Sequence, residues 1–109
     1  MPAINWTQVG DEAITAAKNV LSGSWNNVSK AALPQIEAMI SIGRSIEQDK
    51  INGTLTQSEY ELLEAMQKNA MKGILSSYEA VGIVVAEQAA TAAWNVLASA
   101  LKGAGVAFI

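Results

Sequence analysis

Apolar positions recur along this chain every three or four residues, the spacing of a helix face. Trp6, Val9, Ala13, Ile14, Ala17, Val20 and Leu21 mark a first helix over 7–21, with Gly10 weakening its first turn by about 1 kcal/mol relative to alanine. Ser22-Gly23-Ser24 stops it, and Gly23 suits the left-handed position just past a helix end. Ser24 then caps a second helix over 24–49, whose stripe is Trp25, Val28, Ala32, Ile36, Met39, Ile40, Gly43 and Ile46. Pro34 lies inside that stripe. A proline removes one backbone donor and crowds the preceding turn, so a kink or break is expected near Leu33.

The segment from Lys50 to Leu55 is a loop with Asn52-Gly53 as its turn signal. Thr56-Gln57-Ser58-Glu59 reads as a capping box, in which the threonine hydroxyl accepts from the Glu59 amide and the glutamate reaches back. Glu59, Glu61 and Glu64 follow in the first turns, where the helix dipole favours negative charge. Nothing then forces a stop until Gly103-Ala104-Gly105, which gives a third helix over 57–102, about 46 residues and roughly 70 Å long. Leu63, Ile74, Val85 and Val96 recur every eleven residues, joined by Ala70, Val81 and Ala92. That period makes a nearly straight stripe. Gly73 and Gly82 are the places where such a helix bends or splits.

Composition sharpens this picture. Hydrophobic residues make up 50% of the 109 positions and charged residues only 16%, against roughly 25% charged in an ordinary soluble domain. After Glu79 only Glu87 and Lys102 carry charge, and alanine fills most of the circumference. A helix apolar all round is buried on most sides, and the first two helices laid along it cover one side. Two solutions exist: the long helix folds back near Gly82 to make a four-helix bundle, or further copies of the chain supply the cover. The expectation is association of a single helical domain. Its interface is assigned to Leu63, Ile74, Val81, Val85, Ala89, Ala92, Trp94 and Val96, together with the apolar chain end at Phe108 and Ile109.

Of the three tryptophans, Trp6 and Trp25 stand at helix starts, where a large ring staples one helix to its neighbour. Trp94 lies among alanines as a core or interface anchor. Small residues four apart, such as Ala86 with Ala90 and Ala89 with Ala93, allow close approach of two helices in water or in lipid.

The chemistry available is narrow. Neither histidine nor cysteine occurs, which removes the commonest general base, the commonest metal ligand and all thiol chemistry. Net charge is −3 and the basic residues are scattered, so no stripe exists to neutralise nucleic-acid phosphates. The loop around Gly53 superficially matches a calcium-binding register, but it places Gln48 and Lys50 where carboxylates are needed. A carboxylate di-metal site requires Glu-x-x-His pairs, and Glu37 and Glu47 read as a solvated face of the second helix. No catalytic, cofactor or metal site is therefore expected. The N-terminus lacks a secretory signal, which points to a cytoplasmic or particle-associated protein.

These readings converge on a non-enzymatic helical protein that self-associates or joins a larger protein assembly, such as a virion. A membrane-active protein using the alanine-rich last helix is the alternative. Against it, helices that lie on membranes usually carry a strongly basic face.

Overall fold

In the computed structural model, which describes residues 4–106, the chain is all-α. Helix α1 spans Trp6–Leu21, a 3₁₀ turn Ser22–Ser24, α2 Trp25–Ile51, α3 Gln57–Ser76 and α4 Gly82–Gly103.

Local chemistry sets most of the helix ends. Asn5 is extended and its side-chain oxygen accepts from the Gln8 N–H at 3.2 Å, starting α1. At the end of α2 Gly53 turns left-handed (φ 73°), the Gly53 N–H donates to the Lys50 carbonyl at 3.1 Å and the Thr54 N–H to the Asp49 carbonyl at 2.8 Å. That double closure satisfies carbonyls the helix leaves open. α4 ends the same way at Gly105 (φ 99°), with Gly105 donating to Lys102 and Val106 to Leu101. Val106 and Leu101 are both buried there.

The joint between α1 and α2 departs from the sequence expectation. Ser22, not Gly23, adopts the positive φ (50°). Ser24 is already helical (φ −78°, ψ −12°) and its hydroxyl makes no capping bond, because a capping residue needs extended backbone to reach the next amides. The chain runs through the 3₁₀ turn directly into α2. No break occurs near Leu33 either: α2 is continuous through Pro34. Pro34 and Lys30, four residues earlier, both lie on the exposed side, so the carbonyl deprived of its partner is open to water.

The largest departure is in the long third helix expected over 57–102, which is two helices joined by a turn over 77–81. The Ser76 hydroxyl donates to the Gly73 carbonyl at 3.2 Å and the Ser77 hydroxyl to the Ile74 carbonyl at 2.6 Å. Serine side chains thus take up carbonyls at the helix end. The backbone tightens with Ser77 donating to Ile74 and Tyr78 to Leu75, and Gly82 (φ 74°) supplies the left-handed residue from which α4 departs. Gly73 stays within α3. Once the helix splits, each half takes its own phase. The eleven-residue stripe is replaced by Tyr60, Met71 and Leu75 on α3 and by Ala86, Ala89, Ala90, Ala93, Trp94, Leu97 and Leu101 on α4.

Helix α4 packs on α1, α3 and α2, whereas α1 and α3 do not meet. Gly10 lies opposite Ile40 and Trp6 opposite Gly43, so α1 and α2 are antiparallel. Trp94 bonds Tyr60 and Glu87 pairs with Lys72, so α3 and α4 are antiparallel as well. The longest dimension is 43 Å and the radius of gyration 13.8 Å, which leaves no room for a straight helix of roughly 70 Å.

Two glycines take opposite parts in this packing. A Cβ on Gly43 would lie 2.6 Å from the Trp6 ring and 3.1 Å from Leu97, so only glycine lets the indole seat between α2 and α4. A Cβ on Gly10 would meet Ile40 at an ordinary 3.7 Å. The same chemical change therefore carries opposite signs. Gly43→Ala should destabilise the fold by about 1–3 kcal/mol through overpacking, and Gly10→Ala should stabilise it by up to about 1 kcal/mol through helix propensity. Urea unfolding of the two variants beside the parent checks both signs.

Candidate association surface

Helix α3 has two apolar faces. At about 100° per residue, Tyr60, Met71 and Leu75 share the inner one and are buried. Leu62, Met66 and Gly73 share the opposite one, where Leu62 is 60% exposed and Met66 53%. Ala65, Asn69 and Ala70 widen that outer face and are exposed too. Ile74 lies towards its edge at 38%, and beyond the turn Ile83 and Val84 are 63% and 68% exposed. Glu61 and Lys72 border one side of this face, while Glu64 and Lys68 lie nearer the inner face and are half-buried. Lys72 reaches the Glu87 carboxylate of α4 at 3.4 Å.

The residues assigned to association from the sequence scatter across this architecture. Ala89 and Trp94 have no exposed surface and Val81 is 5% exposed. The chain's own helices cover these three, which corrects their assignment to an outer interface in this fold. Leu63, Val85, Ala92 and Val96 are half-buried, and of the stripe Ala70 and Ile74 are exposed. Phe108 and Ile109 lie outside the described residues. The outer face of α3 was missed because Leu62 and Met66 fall off the eleven-residue stripe; their four-residue spacing was the signal that would have found them.

Polar groups inside the fold are matched. The Trp94 indole N–H donates to the Tyr60 hydroxyl at 3.1 Å, the two rings tilted at 52° with centroids 6.1 Å apart. Burial raises the Tyr60 hydroxyl above the ordinary tyrosine value, and the Glu64 charge adds to this while the Trp94 bond opposes it. Glu47 is half-buried, not on a solvated face: its carboxylate accepts from the Trp6 indole N–H at 2.9 Å and from the Ile4 backbone N–H at 3.2 Å. Glu37 is exposed. Among the described residues, no buried side-chain nitrogen or oxygen lacks a hydrogen-bond partner.

At the foot of α3 only half of the expected capping box is present. The Thr56 hydroxyl accepts from the Glu59 N–H at 3.1 Å, but the Glu59 carboxyl turns to Asp49 at the end of α2. Loss of water, then the hydrogen bond and the charge of Asp49, raise its pKa above the ordinary 4.5.

Among the described residues, no group of three or more acidic side chains is placed to hold a metal ion, and no helix is long and apolar enough to cross a membrane. The hollows on the outer faces of α1 (around Asp11 and Thr15) and α4 (around Gln88 and Thr91) are open and each is lined by a single helix. Neither gathers groups from two elements as a binding pocket does. Compared with protein-family models, curated proteins and solved structures, the chain matches none.

Two predictions follow from the polar contacts. Tyr60→Phe leaves the buried Trp94 N–H without its acceptor and should cost about 1–3 kcal/mol in chemical unfolding. A raised Glu59 pKa means that the folded chain holds this proton more tightly than the unfolded chain. Its contribution to stability is therefore full below pH 4.5 and is lost as pH rises through the folded value. Asp49→Asn should bring the Glu59 carboxyl back towards its ordinary range in an NMR titration and flatten that loss.

Proposed function

We propose that this is a non-enzymatic structural protein that self-associates or takes its place in a larger protein assembly, of the kind found in a virion. The exposed apolar face of α3, with Leu62 and Met66 at its centre, carries this reading. The core is complete without it: α4 is covered within the chain and the buried polar atoms described are bonded. Association does not depend on an uncovered α4. It rests on a second apolar surface that the monomer leaves in water. Soluble monomers rarely expose a contiguous apolar patch of this kind unless it meets a partner.

The absence of histidine and cysteine from the sequence agrees with a role in contact and not in chemistry. The largest buried side chains serve packing, and the bonded polar pairs inside, Trp94 with Tyr60 and Trp6 with Glu47, tie helices together.

Light scattering over a dilution series tests the proposal. The chain should run as a discrete dimer or larger species, and Leu62→Ser with Met66→Ser should raise its dissociation constant at least about tenfold. Their exposure predicts an unchanged helical signal. A monomer at every concentration, joined by binding to neutral or anionic vesicles, would instead support the membrane-active alternative.

A further inference from the structure

We infer that the partner of the α3 face is the α3 face of a second copy, packed antiparallel about a two-fold axis near residues 67 and 68; this rests on the self-association reading above. The order of residues along the exposed side of the helix gives this pairing its direction. Glu61 and Lys72 border one side of the outer face, eleven residues apart, whereas Glu64 and Lys68 lie on the inner side with Tyr60, Met71 and Leu75. In a parallel two-fold pair the charged flanks lie on opposite sides of the seam, so Glu61 of one copy does not meet Lys72 of the other. An antiparallel neighbour sets Glu61 of each copy beside Lys72 of the other, so a two-fold axis satisfies both pairs at once.

The apolar positions place the axis within one residue of the same point. Leu62 of one copy falls over Gly73 of the other, and Met66 falls against Asn69. Gly73 sits in the last turn of α3 on the exposed side, and a Cβ built there meets nothing within 4 Å. The folded monomer has no packing use for this glycine, which costs about 1 kcal/mol of helix propensity relative to alanine. In the antiparallel pair it is the hollow that takes Leu62. The Lys72 bridge to Glu87 within the chain does not compete strongly, since the side chains are 36% and 63% exposed and pairs open to water are weak.

Charge reversal tests the pairing, with native mass as readout and helical signal as control for folding. Glu61→Lys and Lys72→Glu should each weaken the wild-type oligomer about tenfold or more, because a two-fold interface feels every substitution twice. The double variant should recover most of the loss, and the two single variants mixed should associate with each other better than either does alone. The chain is free of cysteine, so Met66→Cys provides a single thiol; mild oxidation should give a covalent dimer, whereas Thr15→Cys on the outer face of α1 should not. An oligomer indifferent to Glu61→Lys and Lys72→Glu, or a double variant as weak as the singles, would overturn the antiparallel pairing and leave self-association standing. A wild-type chain that stays monomeric at every concentration would overturn both.

Discussion

Everything in this fold follows from the large apolar share of α4, whose polar residues are confined to one strip through Glu87, Gln88, Thr91, Asn95, Ser99 and Lys102. Between Gly82 and Gly103 the charged residues are Glu87 and Lys102 alone, so water can be given only a narrow strip of the helix. Three other helices must cover the rest, and a chain of this length has three to offer only if the C-terminal half reverses. Ser76 and Ser77 close the end of α3 with their hydroxyls, and Gly82 takes the positive φ that lets α4 run back. The reversal places Ala86, Ala89, Ala90 and Ala93 where helices pack closely, an approach that larger side chains would prevent.

Close packing is then fixed at one end by two tryptophans with different tasks. Trp6 lies over the bare backbone of Gly43, touches the space beside Leu97 and gives its indole N–H to Glu47. Trp94 is fully buried and gives its N–H to Tyr60. In both cases a large apolar body fills the space between helices while its single polar atom finds a partner on another helix. The geometry of the pair is thereby specified along with the burial. Glu47 joins the same end by holding the Ile4 amide, so the chain's entry into α1 is tied to the last turns of α2.

With that core closed, α3 is the element that has more apolar surface than the monomer uses. Its inner face supplies Tyr60, Met71 and Leu75 to the core; its outer face shows Leu62 and Met66 to solvent between a charged flank and the edge formed by Ile74. A helix that is apolar on two opposite sides suits a wall shared by two cores. Its charge runs from acidic to basic along the chain, in keeping with the helix dipole, and gives the outer face a direction.

The sequence by itself determined the helices and most of their ends. The apolar period of three and four residues, the Asn52-Gly53 turn, the Thr56 cap and the stop around Gly103–Gly105 are local features that depend on backbone geometry and near neighbours, and each is found where the residues place it. Tertiary structure alone decided which apolar face is inside. Periodicity reports that residues share a side of a helix but not what covers that side, so Leu63, Ile74, Val85 and Val96 read as a seam although the buried stripe runs through Met71, Leu75, Ala89 and Trp94. The break at 77–81 decides this, because a turn resets the helical phase and returns α4 to the chain's own core. Glu47 is the same lesson at one residue: its place on α2 suggested water, and only the arrival of Trp6 and Ile4 from α1 made it a partner.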